Sequence, residues 1–304
     1  MRVEILVFGA GAMGSFFGGL LSPRHDVLLV GRREHMEAIR ARGLRISGKT
    51  VRLARPRTAT RVPATARPGL VLVATKAYDT AEAMTQLKRF GSTAVFVTLQ
   101  NGLDNPDVIA RTASRVIAGT TAHGVTFLGP GEVRHAGVGD TTIGAWRGVD
   151  REDVVRVQAI FEEAGVRTRV SDDVRTELWS KLIVNASINP LAALAGVPNG
   201  RLVQDKDLQA LLESVCREAT AVARADGIAA DADEMVRRTR LVARRTAANR
   251  SSMLQDLDHR RRTEIDAIAG AVLRSADRTG VEAPLGRALL ALVRAREAEG
   301  LRAG

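Results

Sequence analysis

Cysteine occurs once in this chain of 304 residues, at Cys216. A single thiol excludes an internal disulfide and any cysteine-cluster metal site. Aromatic residues make up only 3%. They offer little to stack on nucleic-acid bases, and the cores must be built from Ala, Val, Leu and Ile. No apolar run approaches the roughly 18 residues of a transmembrane helix. The N-terminal apolar run in M-R-V-E-I-L-V-F-G carries alternating charge and stops too soon for a signal peptide. The expectation is a cytoplasmic enzyme with no membrane and no nucleic acid as partner, and a length that suggests two domains.

Lysine is the other scarcity. It stands only at Lys49, Lys76, Lys88, Lys181 and Lys206, in a chain rich in arginine and carrying a net charge of +11. The arginines are spread along the whole length, which argues against a nucleic-acid face. Where arginine supplies the generic positive charge, a lysine in an apolar setting suggests proton transfer, because an amine can deprotonate and a guanidinium cannot.

The first chemical signal follows an apolar strand at residues 2–8. It reads Gly9-Ala10-Gly11-Ala12-Met13-Gly14, then an apolar helical run. Strand, G-x-G-x-x-G, helix is the dinucleotide-binding arrangement. The glycines allow a tight turn, close approach of the backbone to a pyrophosphate, and packing of helix on strand. The helix N-terminus then offers free N–H groups to the phosphates. After the second strand, at 26–30, the chain reads Gly31-Arg32-Arg33. Where an NAD site places a carboxylate for the ribose hydroxyls, a guanidinium suits a 2′-phosphate. NADPH/NADP+ is therefore the expected cofactor.

Two further buried strands, 70–75 and 94–99, end in Lys76-Ala77-Tyr78 and Gln100-Asn101-Gly102. Ligands bind beyond the carboxyl ends of parallel strands, so Lys76 and Asn101 are candidate site residues. From 115 to 144, short Gly-, Thr- and Val-rich strands predict an antiparallel extension of the sheet. His123 and His135 lie there, with no metal-ligand spacing to support them, and no metal is expected. A helix at 151–164 and a strand at 166–170 complete the β pattern. Beyond 172 only helical periodicity remains, over 172–195, 205–226, 232–248, 250–280 and 284–299. The predicted fold is an α/β dinucleotide-binding domain of Rossmann type over 1–170, followed by an all-α domain over 171–304.

In the helical part, W-S-K-L-I-V-N-A-S-I-N-P-L at 179–191 places Lys181, Asn185 and Asn189 four residues apart. They form one polar stripe among strongly apolar neighbours. Lys181 is the candidate proton donor. Downstream, Glu264 is expected at the edge of an apolar face of the 250–280 helix, either in solvent or opposite an ammonium.

These motifs resemble those of the ketopantoate reductases (2-dehydropantoate 2-reductases). The markers are the glycine turn, K-A-Y at 76–78, Q-N-G at 100–102, the 179–191 pattern, P-N-G at 198–200, S-S-M-L-Q-D at 251–256 and E-I-D at 264–266. The resemblance implies a C-terminal domain like that of 6-phosphogluconate dehydrogenase and NADPH-dependent reduction of 2-dehydropantoate to (R)-pantoate, toward coenzyme A. It implies Lys181 as proton donor and Asn101, Asn185, Asn189, Asn199 and Ser252 as substrate contacts. On the cofactor side it implies Arg32, Lys76, Asn101, Val125 (through its main chain) and Glu264. A reductase of another 2-oxo acid would share these groups. A non-enzymatic NADP(H)-binding regulator would lack the proton donor, which is present. A homodimer is compatible with the sequence and not specified by it.

Overall fold

The computed structural model describes residues 4–302, so Arg2 and Val3 of the expected first strand lie outside the described residues. The chain divides into two compact units. One comprises the residues up to Gln100 together with Asn105–Val174; the other comprises Asn101–Asp104 and the chain from Arg175 onward.

The first unit alternates strand and helix: β1 (Ile5–Phe8), α1 (Ala12–Leu21), β2 (Val27–Val30) and α2 (Arg33–Arg42). Three short strands follow, β3 (Leu44–Gly48), β4 (Arg52–Ala54) and β5 (Arg57–Ala59), then β6 (Leu70–Val73), α3 (Thr80–Leu87), β7 (Val95–Thr98) and α4 (Asn105–Ala110). The remainder is β8 (Val116–Thr121), β9 (Gly124–Gly129), β10 (Glu132–Gly137), β11 (Thr141–Arg147), α5 (Arg151–Glu163) and β12 (Thr168–Val170). Eight strands form one sheet in the order β12-β11-β8-β7-β6-β1-β2-β5. β1 lies inside it, with Ile5 opposite both Val27 and Leu70 in parallel register. Its four residues and those of β2 and β6 are all buried, as continuous apolar runs in a sheet covered on both faces must be. One core contains Phe16, Phe17 and Phe161, and a second contains Phe90, Phe96 and Met84.

The antiparallel extension is only partly as expected. β11 joins β8 antiparallel, but β9 and β10 leave the main sheet. β10 pairs with β3, which makes a separate four-stranded sheet ordered β4-β3-β10-β9. Its inward residues Leu44, Ile46 and Val133 are fully buried in the core that contains Phe16. Gly19 of α1 permits the approach, since a Cβ there would stand 2.8 Å from Ile46 and 3.0 Å from Leu44.

The second unit is helical: α6 (Val174–Ala195), α7 (Lys206–Ala225), α8 (Ala232–Arg245), α9 (Ser252–Asp258), α10 (Ile265–Thr279) and α11 (Pro284–Arg302). Trp179 of α6 is wholly buried among Leu182, Ile183 and the apolar faces of α7 and α10. Its indole N–H donates to Asp226 at 3.2 Å, and Arg175 and Arg278 also pair with that carboxylate. Burial pushes Asp226 up, but the two guanidinium hydrogen bonds outweigh it and hold the group below its ordinary value. Glu218 of α7 accepts the backbone N–H groups of Leu285 and Gly286 in the first turn of α11.

The helix expected over 250–280 is two helices. Arg260 turns through φ +53°, a conformation that ends a helix, and Thr263 Oγ1 accepts the N–H of Ile265 at 3.3 Å. Glu264 therefore precedes α10 rather than lying on its face.

Candidate active site

In the first unit the turn expected to bind phosphate is made by backbone. Gly9 has φ +102°, and a Cβ there would stand 2.5 Å from the Thr75 nitrogen. At Gly14 a Cβ would fall 2.1 Å from the Gly9 oxygen. These two glycines are demanded by the protein's own packing. Gly11 is different: nothing lies within 4 Å of where its Cβ would be. It is exposed and stands as N-cap of α1, with no side chain capping the helix. The uncapped first-turn N–H groups and the open space at Gly11 fit a pyrophosphate. Ala10 and Ala12 flank that glycine, and Met13 packs on the core beneath.

Beside this turn, Gly31 lets the end of β2 close on the glycine loop, since a Cβ there would meet Ala10 Cβ at 2.5 Å. Arg32, the N-cap of α2, and Arg33 follow, both exposed. No carboxylate pairs with either among the described residues, whereas many arginines elsewhere carry one. Two uncommitted guanidinium groups beside a phosphate turn suit a second, monoester phosphate. Lys76 lies past the end of β6, partly exposed, as N-cap of a short 3-10 turn. Val125 is the second residue of β9, opposite His135. NADP(H) thus fits the residues present.

The second unit supplies a cluster of side chains. Lys181, Asn185 and Asn189 share α6, the first two partly exposed and Asn189 buried. Asn101 belongs to this unit although it follows β7. Its amide donates to Glu264 Oε2 at 3.1 Å, and its carbonyl oxygen accepts from Asn185 Nδ2 at 3.4 Å. Glu264 is buried, with 7% exposure, and its charge acts on Lys181. Burial pushes the Lys181 ammonium down to about 8, and Glu264 opposes that shift. A lysine at such a value is a ready proton donor near neutral pH.

The remaining candidates are less connected. Asn199 opens a 3-10 turn; its amide donates to Thr246 at 2.9 Å while its buried carbonyl oxygen has no hydrogen-bond partner among the described residues. Ser252 is exposed at the start of α9, and its neighbour Ser251 is occupied as the N-cap, accepting the N–H of Leu254. His123 and His135 are buried and bonded to each other at 3.0 Å. Burial pushes His123 down to about 4. Among the described residues no cluster could hold a metal ion, and no helix is long and apolar enough to cross a membrane. Sequence reasoning missed Gln100, whose amide spans Thr75 and Thr80 at 2.7 and 2.8 Å. It also missed His35, a titratable side chain at an apolar position of α2; that mismatch was the available signal.

Known proteins resemble this chain over nearly its whole length. The family model for ketopantoate reductase PanE/ApbA matches residues 5–148, and that for its C-terminal part matches 173–297. A 2-dehydropantoate 2-reductase of Halobacterium salinarum is 40% identical, covering 98% of this chain and all of the relative. One from Pyrococcus horikoshii is 37% identical, covering 98% and 99%. The crystal structure of a PanE/ApbA family ketopantoate reductase from Ralstonia eutropha superposes with a TM-score of 0.88 at 34% identity, over 99% of each chain. D-mandelate dehydrogenase, in a ternary structure with NADH and anilino(oxo)acetate, superposes with a TM-score of 0.93 at 25% identity, again over 99% of each. With a glycine turn built for a dinucleotide, a lysine tuned by burial and two family models covering most of its length, this chain belongs to the ketopantoate reductase family.

Proposed function

We propose that this chain reduces 2-dehydropantoate to (R)-pantoate with NADPH. The observation that carries the reading is Lys181, a partly exposed lysine held near pKa 8 in a cluster of two amides and a carboxylate. The uncapped start of α1 holds the pyrophosphate, and Arg32 holds the 2′-phosphate. Bound NADPH supplies the hydride that reduces the ketone carbon. Lys181 hydrogen-bonds the ketone oxygen, polarises it and delivers a proton as the alkoxide forms. Asn185 and Asn189, on the same helix face, orient the substrate's hydroxyl and carboxylate, and the open carbonyl oxygen of Asn199 accepts from a substrate hydroxyl. Ser252 contributes a further hydroxyl. Glu264 keeps the lysine charged until it gives up its proton, and Asn101 holds that carboxylate in place. The enzyme works in the cytoplasm on a free small molecule, without a nucleic-acid partner.

A second reading follows from the similarity to D-mandelate dehydrogenase: the same groups would serve another 2-oxo acid. NADPH oxidation with 2-dehydropantoate, set beside a panel of 2-oxo acids, decides between them. The proposal holds if 2-dehydropantoate has the highest kcat/KM, and fails if a bulkier or aromatic 2-oxo acid exceeds it.

A further inference from the structure

Three buried histidines surround α1, and the reaction uses none of them. His35 has the most connected geometry. It lies in the first turn of α2, three residues after Arg32, and is 3% exposed. Its Nδ1 accepts the backbone N–H of Gly131 at 2.8 Å, in the turn between β9 and β10. Its Nε2 lies 2.8 Å from Ser15 Oγ. Ser15 immediately follows the last glycine of the phosphate turn and is wholly buried in α1. Because Nδ1 accepts, the ring proton sits on Nε2 and donates to Ser15. Burial pushes His35 down to about 4, so the ring keeps that single tautomer at neutral pH. Arg42, at the other end of α2, donates to the carbonyl of Pro130 at 2.7 Å in the same turn.

The other contacts of α2 are the apolar ones of Met36, Ala38 and Ile39 and two hydrogen bonds to Thr58 of β5, whose hydroxyl donates to the Met36 carbonyl at 3.3 Å and whose carbonyl accepts from Arg40 at 3.4 Å. Apolar contacts are non-directional and leave a helix free to rotate by small amounts. At the backbone radius of an α-helix, a rotation of about 20° moves the chain by roughly 0.8 Å. That exceeds the tolerance of about 0.5 Å for a preorganised site. Beside the Thr58 bonds to β5, hydrogen bonds from one ring to α1 and to the β9–β10 turn restrict this rotation at the end of the helix where Arg32 and Arg33 stand.

We propose that His35 is a positioning residue for cofactor choice: by joining α2 to Ser15 and Gly131 it fixes Arg32 and Arg33 relative to the glycine turn, at the separation the 2′-phosphate requires. This rests on the assignment of Arg32 to the 2′-phosphate made above. NADH has no such phosphate and does not call on the guanidinium groups of Arg32 and Arg33, so the consequence is selective.

Dissociation constants for NADPH and NADH, from fluorescence titration without substrate, test it. His35→Leu is expected to weaken NADPH roughly five- to twentyfold, the scale of one lost directional contact, with NADH changed less than twofold. Ser15→Ala, a milder change, should shift the NADPH/NADH ratio in the same direction. Joining the two should be no worse than His35→Leu alone. Equal weakening of both cofactors, or an unchanged ratio in Ser15→Ala, overturns the proposal, and Ser15→Ala decides alone should His35→Leu not fold. Arg32→Ala separates the two levels. If it lowers the preference for NADPH while the His35 and Ser15 variants do not, this inference alone is wrong. If Arg32→Ala also leaves the ratio unchanged, the 2′-phosphate assignment has failed and the inference falls with it.

Discussion

The two units treat polarity differently. The α/β unit presents its glycine turn as backbone, with glycines at 9, 11 and 14, and keeps its buried histidines neutral: His35 and His123 are both pushed down to about 4 by burial, while its buried carboxylate Asp153 is paired with Arg115. The helical unit presents side chains and keeps charge beneath its surface, with Glu264 acting on Lys181 and Asp226 held by Arg175 and Arg278. A surface that only binds can be built from N–H groups, which carry no titration and little entropy. A surface that transfers a proton, as proposed for Lys181, needs a group with a tunable pKa, and the helical unit bears the desolvation cost of keeping one.

The largest expected effect tests the charged side of this contrast. Lys181→Ala should lower kcat by roughly two to four orders of magnitude, while NADPH affinity, measured by fluorescence, stays unchanged. Lys181→Arg keeps the charge but not the removable proton and should be nearly as poor. In the unaltered enzyme the donor is lost as pH rises through about 8, so kcat should fall above that pH and stay level below it. An arginine variant with near-normal turnover would remove Lys181 from the chemistry.

On the backbone side, Gly14→Ala puts a methyl group 2.1 Å from the Gly9 oxygen and should cost on the order of 3–5 kcal/mol of stability. Gly11→Ala meets open space and should leave the melting temperature nearly unchanged while weakening NADPH binding. If both glycines lower Tm alike, the difference drawn between packing glycine and ligand glycine is wrong.

Acid should separate the units. The unfolded histidines bind protons below about 6.5, while folded His35 and His123 do so only near 4. Stability of the α/β unit is therefore complete above 6.5 and declines toward 4, by on the order of 1–2 kcal/mol for each group between pH 7 and 5. Asp226, depressed below its ordinary value, gives the helical unit stability that persists to lower pH. Trp146 reports on the first unit and Trp179 on the second. Single-tryptophan variants titrated with acid should show Trp146 changing at the higher pH, and coincident transitions would erase the contrast.

The smallest effect concerns cofactor choice. Arg32→Ala should raise KM for NADPH roughly tenfold, about 1.4 kcal/mol, with little change for NADH. Equal changes with both would leave the 2′-phosphate to Arg33 or to neither.

Most of the fold was legible in the sequence because its signals are local. Glycine spacing marks the phosphate turn, four-residue apolar runs mark the buried strands, and the i, i+4, i+8 stripe marks α6. The departures came from contacts distant in sequence. β9 and β10 read as sheet strands, but nothing local says that β10 pairs with β3, where Glu132 stands opposite Arg45. The break at Arg260 is hidden because arginine is no usual helix terminator. Glu264 was placed on a helix face by periodicity, and its hydrogen bond to Asn101 spans 163 positions.

The affiliation of residues 101–104 has a consequence for how this protein can be divided. Although the four residues sit in the middle of the α/β stretch, they count with the helices, and Asn105 returns to the first unit. A cut at 174 therefore does not yield two independent cassettes. A helical fragment beginning at 175 carries Lys181 and Glu264 but not the Asn101 amide that Glu264 accepts. Chimeras that exchange the C-terminal half between relatives inherit Asn101 from the wrong parent. In this chain the half that carries Lys181 cannot be recombined as a contiguous module, and segment 101–104 must travel with it.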